Sequence, residues 1–149
     1  MSSLWGALAS FFAQWRSRFV DFKPEHLRRG ESGEKLAAQF LRRHRYKILH
    51  RNFCGHSGGE IDIVCRDGDT LVFVEVKTRG SEDFGRPYDT IRREQKRRIS
   101  RGALAWLRML DNPDILFRFD VVEVVMPRGG NPQLELIRNA FSLSEPLVY

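Results

Sequence analysis

Cysteine and long apolar runs are both scarce in this sequence, and each shortage excludes a class of protein. Cys54 and Cys65 are the two cysteines among 149 residues, too few for a disulfide framework and without the paired spacing of zinc sites. No apolar stretch approaches the roughly 20 residues that a membrane-spanning helix needs. The four histidines show neither metalloprotease nor zinc-finger spacing, and phosphate-loop, dinucleotide-binding and serine-hydrolase motifs are missing.

The composition that remains is typical of one basic, globular domain. Hydrophobic residues make up 42% of the chain and charged residues 30%, which is enough for a core and a solvated surface. The net charge of +6 favours polyanionic partners, most often nucleic acid and sometimes an anionic membrane surface. Because no basic segment precedes the first apolar stretch and no cleavage signature follows it, we expect a cytoplasmic protein.

The first 20 residues differ from the rest of the chain. Apolar residues from Leu4 to Phe19 recur at helical spacing. This pattern indicates a helix packed on the domain or a poorly ordered terminus; the alternative is an interfacial helix that docks on a membrane surface or a protein partner. We assign residues 1–29 to this extension, with a linker from Phe22 to Arg29, and residues 30–149 to the main domain.

Periodicity and turn residues divide the main domain into seven elements. Helical spacing predicts a helix at Glu31–Arg45 and a longer one at about Ile91–Leu110. Alternation and β-rich composition predict strands at Tyr46–Phe53, at Phe117–Met126 and at Leu134–Phe141, with a hairpin over Glu60–Thr78. The order α-β-β-β-α-β-β indicates an α/β fold in which a central mixed β-sheet is flanked by helices.

The hairpin brings charged residues together. Its two β-rich runs flank Asp67-Gly68, a dipeptide typical of a two-residue turn. Such a turn places Glu60 opposite Glu75. Because side chains alternate between the faces of a strand, one face then collects all the charges near the open end of the hairpin. The residues on that face are Glu60, Asp62, Glu75 and Lys77.

Three carboxylates and one ammonium on one face of a hairpin need an additional counter-charge. Like charges directly opposite each other destabilise a sheet, and the surrounding Ile, Val and Phe residues indicate burial. Magnesium, or manganese in its place, would supply that charge, since magnesium prefers oxygen ligands and keeps several waters. A solvated face with an ordinary Glu–Lys ion pair is the alternative, but it leaves the apolar surroundings unexplained. We therefore predict a metal site.

The spacing of these residues resembles that of the PD-(D/E)xK nuclease superfamily, in which an aspartate precedes a strand ending in (D/E)xK. Asp62 and Glu75-Val76-Lys77 have that arrangement. Five ordered motifs more narrowly resemble the YraN-like bacterial proteins, uncharacterised protein family 0102, over about residues 30 to 141. The motifs are Gly33-Glu34, Gly59-Glu60-Ile61-Asp62, Val74-Glu75-Val76-Lys77-Thr78-Arg79, Phe119-Asp120-Val121-Val122 and Ile137-Arg138-Asn139-Ala140-Phe141.

The resemblance implies a restriction-endonuclease-like core and a set of site residues. Asp62 and Glu75 would hold magnesium, and Lys77 would orient the attacking water or stabilise the charge that develops on the phosphate. Glu34 matches an acidic helix residue that many superfamily members add to the metal site. Glu60 would be a further carboxylate at the edge of the metal ligands.

The second helix adds a glutamine and several basic side chains. Gln95 lies at helical spacing from Ile91 and Ile99, and a buried glutamine needs hydrogen-bond partners. Resolvase-like nucleases place a glutamine from this helix at the site; the alternative is that Gln95 caps a backbone group. The basic side chains either form a solvated face or contact nucleic-acid phosphates without reading bases. They are Arg92, Arg93, Lys96, Arg97, Arg98 and Arg101.

Three hypotheses for the function follow. The first is a magnesium-dependent nuclease that cleaves branched, nicked or damaged DNA and selects structure rather than sequence. The second is a non-catalytic nucleic-acid-binding protein that keeps the nuclease fold. The third is an adaptor that docks on a partner or membrane through residues 1–20. The intact set of Asp62, Glu75 and Lys77 favours the nuclease.

Overall fold

A computed structural model describes residues 25–80 and 91–144, with side chains from residue 30 onward. The predicted helix within residues 1–20 and the predicted loop at Ser81–Asp89 lie outside the described residues. The order of the elements is the one that the sequence predicts, which confirms the α/β fold class. The elements are α1 (Glu25–Arg43), β1 (Lys47–Cys54), β2 (Glu60–Asp67), β3 (Thr70–Gly80), α2 (Arg93–Met109), β4 (Phe117–Met126) and β5 (Gln133–Phe141).

The five strands form one mixed sheet in the order β1-β2-β3-β4-β5. Strands β3 and β4 are parallel, and the other neighbours are antiparallel. Helix α1 packs on one face, where Ala37 and Leu41 meet Val74. Helix α2 packs on the other face, where Trp106 meets Phe73. Because both faces are covered, a polar side chain that leaves the sheet must find a partner near a helix.

Helix α1 begins earlier than the sequence predicts. Residues Glu25–Arg29, assigned to a linker, already belong to the helix, so the linker prediction is wrong for them. The charged residues that suggested a linker include good helix formers. Pro24 directly precedes the helix in the sequence, and proline is favoured at a helix start because the first turn has no use for its missing N–H. Within the described ranges, no helix is long and apolar enough to cross a membrane.

The turn of the β2–β3 hairpin differs from the prediction. Asp67 pairs with Thr70, so the two loop residues are Gly68 and Asp69 rather than Asp67 and Gly68. Gly68 has a φ of 58°, and a positive φ at the first loop position is what a type II′ turn requires. The glycine was identified correctly, but it is the first loop residue and not the second.

The displaced turn changes which residues are neighbours at the open end of the hairpin. Ile63 pairs with Val74, and the backbone pairing of β2 with β3 ends there. The next residue on each strand is Asp62 and Glu75, so the predicted position of Glu75 opposite Glu60 is wrong. The register moves by two residues, an even number, and the carboxylates therefore keep a common face.

Two glycines allow α2 to approach the start of β2 closely. Gly59 has a φ of 94°, and a Cβ at this position would clash with the backbone nitrogen of Gly102. A Cβ on Gly102 would in turn lie 3.0 Å from the Ile61 side chain. The backbones therefore meet without intervening side chains. Arg98, one helical turn before Gly102, is thereby placed beside the carboxylates, including Glu75.

A polar cluster lies on the face of the sheet that α1 covers. Arg118 donates hydrogen bonds to Asp120 at 3.0 Å, to Asp67 at 2.8 Å and to the Tyr46 hydroxyl at 2.9 Å. Asp120 is fully buried and also accepts the backbone N–H of Asn139 at 2.9 Å. The register between β4 and β5 is irregular at this point. Asp120 therefore ties the hairpin turn, β4 and β5 together, which gives this motif residue a structural role.

Candidate functional site

Asp62 and Glu75 form a carboxylate pair where β2 and β3 separate. The Val76 N–H donates a hydrogen bond of 2.7 Å to Asp62 Oδ2, and Glu75 is only 4% exposed. Burial, together with the charge of Glu75, raises the pKa of Asp62 to about 7, although the Val76 hydrogen bond opposes this shift. Asp62 therefore keeps its proton to a higher pH than an ordinary aspartate does.

Two basic side chains converge on one oxygen of Glu75. Lys77 Nζ lies 3.3 Å from Glu75 Oε1, and Arg98 Nη2 lies 3.8 Å from the same atom. The other terminal nitrogen of Arg98 lies 3.3 Å from Glu60 Oε2. Arg98 thus connects α2 to both strands of the hairpin. Sequence reasoning assigned it to a phosphate-binding face, and the structure places it at the carboxylates.

The remaining predicted carboxylates have basic partners of their own. Glu60 is largely exposed and pairs with Arg98, and Glu34 on α1 lies 3.9 Å from Arg51. In residues 25–80 and 91–144, no three His, Cys, Asp or Glu side chains gather as a ligand group. The structure therefore brings together Asp62 and Glu75, and the metal-binding roles of Glu34 and Glu60 stay predictions.

The chemistry of the Asp62–Glu75 pair suits a hard divalent cation. Magnesium usually takes one or two protein carboxylates and keeps several waters, so two oxygen donors at the end of adjacent strands are sufficient. The raised pKa of Asp62 reflects burial first and the repulsion of Glu75 second. A cation between the carboxylates would remove that repulsion and favour the ionised form of Asp62. These two residues are the ones that could hold a metal.

A cleft of about 340 Å³ opens at the start of α2 and shares Arg98 with the carboxylate pair. Its lining includes Arg92, Glu94, Gln95 and Arg98. Gln95 is half-buried, so its amide is available to the cleft as well as to the protein interior. The cleft therefore offers two guanidinium groups and one amide against one carboxylate, Glu94, so its lining has a net positive charge that favours an anionic ligand.

The six basic residues predicted to contact phosphates, Arg92 at the N-cap of α2 and five within its first three turns, have different surroundings. Lys96 lies with its Nζ 5.8 Å from the centre of the Phe141 ring, and Arg98 contacts the carboxylates. Arg92 is exposed at the cleft. The other three follow each other at a spacing of four residues and are exposed on the helix surface; we call them the basic stripe. The basic stripe is Arg93, Arg97 and Arg101.

A buried carboxylate that the sequence reasoning missed lies next to Lys77. Glu123 is its register partner on the parallel strand β4 and is 5% exposed. Register partners on neighbouring strands project from the same face of the sheet, and the strands are about 4.8 Å apart. The side chains of Lys77 and Glu123 therefore lie side by side. The alternation of Phe119, Val121 and Glu123 along β4 is the signal that could have identified it.

The fold and the site define an α/β protein with a carboxylate pair, a lysine and an arginine-lined cleft on one face of a mixed sheet. The sequence model of the uncharacterised protein family UPF0102 matches residues 33–124. A UPF0102 protein of Geobacter metallireducens is 52% identical over 77% of this chain and 93% of its own length. One from Geobacter sulfurreducens is 48% identical, over 77% and 89%. One from Nitratidesulfovibrio vulgaris is 44% identical, over 79% and 87%.

This chain belongs to family UPF0102. The matched region begins at Gly33 and includes the hairpin, α2 and most of β4. It therefore contains the carboxylate pair, Lys77 and Arg98. The family predicted from the five sequence motifs is confirmed.

Proposed function

We propose that this chain is a metal-dependent nuclease that hydrolyses phosphodiester bonds in DNA. The observation that carries the proposal is the carboxylate pair of Asp62 and Glu75, with Lys77 Nζ 3.3 Å from Glu75. The pair lies beneath a helix that carries six basic residues. The resemblance of this spacing to the PD-(D/E)xK nucleases supports the same reaction.

The site residues have the properties that phosphodiester hydrolysis needs. Magnesium held by Asp62 and Glu75 would polarise the scissile phosphate and lower the pKa of a bound water. Lys77 is held at Glu75 by its ion pair, and its ammonium donates hydrogen bonds to the attacking water or to phosphate oxygens that gain charge. Asp62 must be ionised to act as a ligand. Its raised pKa places this ionisation near neutral pH.

The surface around the site supports a nucleic-acid substrate recognised through its phosphates. The basic stripe is exposed, and the cleft has two arginines in its lining. Contacts from arginine to phosphate fix the position of DNA without reading its bases. We therefore propose selection of branched, nicked or damaged DNA by its structure rather than its sequence.

The test is a cleavage assay of the purified protein on single-stranded, duplex, nicked and branched DNA. We expect cleavage of at least one structured substrate with magnesium or manganese and none with EDTA. Glu75→Gln, Asp62→Asn and Lys77→Ala should each abolish it. Glu135→Gln, which changes an exposed carboxylate on β5, should cut like wild type.

A second candidate is a nucleic-acid-binding protein without catalysis. It is favoured by the two cations at Glu75, because Lys77 and Arg98 already neutralise the carboxylates without a metal. This candidate predicts DNA binding of equal strength in magnesium and in EDTA, and no cleavage of any DNA in the panel. That result would contradict the nuclease proposal.

The adaptor hypothesis concerns residues 1–20, and their deletion should then alter localisation with DNA binding unchanged.

A further inference from the structure

Arg98 has a combination of contacts that the proposed reaction does not by itself explain. Its two terminal nitrogens lie 3.3 Å from Glu60 and 3.8 Å from Glu75. Its Nε is buried and, within the described residues, has no hydrogen-bond acceptor. The side chain also lines the cleft at the start of α2. One guanidinium therefore faces a carboxylate of the proposed metal site and an open space at the same time.

We propose that Arg98 neutralises Glu75 when no divalent cation is bound and binds a phosphate of the substrate when one is, while Glu60 holds the guanidinium in position. The inference rests on the proposed function in taking Asp62 and Glu75 as the cation site. It adds an ordered exchange: the cation replaces Arg98 at Glu75, and the released guanidinium turns to the substrate.

Competition with the cation follows from the charges. Arg98 shares Glu75 Oε1 with Lys77, so this oxygen already has two positive partners. A divalent cation bound to the same carboxylate would be repelled by a guanidinium that stays within 4 Å, because like charges at short range oppose each other. Arg98 should therefore lower the affinity of the site for magnesium. The contact at 3.8 Å is long for a charge-assisted hydrogen bond, which makes it the one of the two contacts that is easier to give up.

Phosphate binding follows from the donors that Arg98 keeps free. A guanidinium has five N–H donors in a planar fork that matches a phosphate. The nitrogen that leaves Glu75 belongs to a side chain that lines the cleft. The Nε–H is buried and has no acceptor within the described residues, so it becomes a second donor only when the guanidinium turns toward the substrate. The ion pair with Glu60, at 3.3 Å, remains and limits the rotation of the guanidinium. Glu60 thereby acts as a positioning residue and not as a metal ligand.

The experiment measures magnesium binding and DNA binding separately, without cleavage. Magnesium affinity is obtained from the rise in melting temperature of the protein alone with increasing magnesium. DNA affinity is obtained from fluorescence anisotropy with a nicked duplex, both in EDTA and in calcium, a hard cation with oxygen ligands that replaces magnesium in this measurement. The variants are Arg98→Gln, Glu60→Gln and the double variant. The matched control is Arg108→Gln, which removes an exposed arginine from the last turn of the same helix.

Arg98→Gln should bind magnesium about five- to tenfold more tightly than wild type. This coupling between Arg98 and magnesium is at the lower end of the usual range, because the Arg98 side chain is partly solvated. In calcium the same variant should bind DNA more weakly than wild type, whereas in EDTA, where Arg98 pairs with Glu75, the difference should be smaller. Arg108→Gln should change neither affinity. Opposite changes in the two affinities would not arise from a general loss of stability, which lowers both.

Glu60 is tested by the double variant. If it acts through Arg98, Glu60→Gln should change magnesium affinity in the wild-type background and by less than about twofold in the Arg98→Gln background. An equal loss of magnesium affinity in both backgrounds would make Glu60 a metal ligand and overturn its positioning role. Equal magnesium affinities of wild type and Arg98→Gln would overturn the exchange while leaving the metal site intact. A wild-type protein that does not respond to magnesium would overturn the metal site itself.

Discussion

The backbone N–H of Val76 donates a 2.7 Å hydrogen bond to the carboxylate of Asp62, across the point where β2 and β3 stop pairing. The Asp62 side chain thus accepts a hydrogen bond that a backbone carbonyl would accept if the pairing of β2 with β3 continued. The hydrogen bond fixes the direction of the Asp62 carboxylate before any ligand is present. It also ties Asp62 to the residue between Glu75 and Lys77.

The first prediction concerns pH and stability. The pKa of Asp62 is raised from 3.8 to about 7, by burial first and by Glu75 second. Between these values the folded protein holds a proton that the unfolded chain has released. The contribution of Asp62 to the free energy of unfolding therefore decreases as pH rises from about 4 to about 7, by at most about 1.4 kcal/mol per pH unit.

Asp62→Asn isolates this contribution because it resembles the protonated form at every pH. Urea denaturation from pH 4 to pH 8 should show the variant gaining stability over wild type as pH rises, with a constant difference above pH 7. Magnesium should stabilise wild type more at pH 8 than at pH 6, since the cation binds the ionised carboxylate. A difference between the two proteins that is the same at pH 5 and pH 8 would contradict the raised pKa.

The second prediction tests the close approach of α2 to the start of β2. Gly59→Ala places a methyl group against the backbone of Gly102, whereas a Cβ at Gly58 meets no atom within 4 Å. Both glycines have positive φ, 94° and 83°, so both alanine variants carry backbone strain of about 1–2 kcal/mol.

Gly59→Ala should lose a further 1–3 kcal/mol or so from overpacking and should also weaken DNA binding, because α2 and Arg98 move away from the carboxylates. Gly58→Ala should show the strain alone and bind DNA like wild type. The measurements are urea denaturation and anisotropy under conditions in which each variant is folded. Equal destabilisation of the two variants would show that the glycine contact does not position the helix.

Much of the fold could be predicted from local signals. Hydrophobic periodicity, β-rich composition and turn residues together predicted all seven elements, and β4 has the predicted bounds of Phe117–Met126. The common face of Asp62, Glu75 and Lys77 was predicted although the turn was misplaced, because the displacement by two residues preserved the alternation. The prediction of a linker at Glu25–Arg29 is wrong because charged residues are compatible with a helix as well as with a loop. Their presence therefore does not distinguish the two structures.

The contacts that could not be predicted depend on non-local geometry. The position of Arg98 depends on the rotation of α2 and on its separation from β2, which the Gly59–Gly102 contact determines. The position of Glu123 beside Lys77 depends on the register of two parallel strands that are far apart in sequence. The alternation along β4 indicates on which face of the strand Glu123 lies, but no periodic signal in the sequence gives its neighbour or the rotation of α2. The basic residues of α2 therefore looked equivalent, although one of them belongs to the carboxylate site.

The third prediction tests whether the cluster of Arg118 and Asp120 contributes to stability and not to DNA binding. Asp120 is fully buried, and Arg118 is its hydrogen-bonded partner. Asp120→Asn should lower the free energy of unfolding by about 3 kcal/mol, because it leaves part of a buried ion pair without its counter-charge. DNA binding of the folded variant should be unchanged, since Asp120 projects from the face of the sheet that α1 covers, whereas the carboxylate pair lies on the face that α2 covers. Asp114→Asn, at an exposed aspartate, is the control. A stability change below about 0.5 kcal/mol would contradict this role.

The last prediction concerns the basic stripe of Arg93, Arg97 and Arg101. If these side chains contact phosphates, binding should fall steeply with salt and be insensitive to DNA sequence, and each lost contact should reduce the log–log salt slope by about 0.9 on duplex DNA. Changing all three to alanine should therefore weaken binding equally for unrelated sequences and flatten the slope by about two to three.

The matched control replaces Arg42, Arg43 and Arg45 with alanine. Arg42 and Arg43 are exposed in the last turn of α1, Arg45 is exposed two residues after it, and α1 covers the other face of the sheet. The control removes the same number of positive charges. A change in the net charge alone would affect both variants alike, whereas phosphate contacts affect only the basic stripe. Anisotropy titrations at four or more salt concentrations, with circular dichroism to verify the helices, measure the two slopes. Equal slopes for the two variants would move the DNA path away from the exposed side of α2 and leave Arg92 and Arg98 in the cleft as its basic contacts.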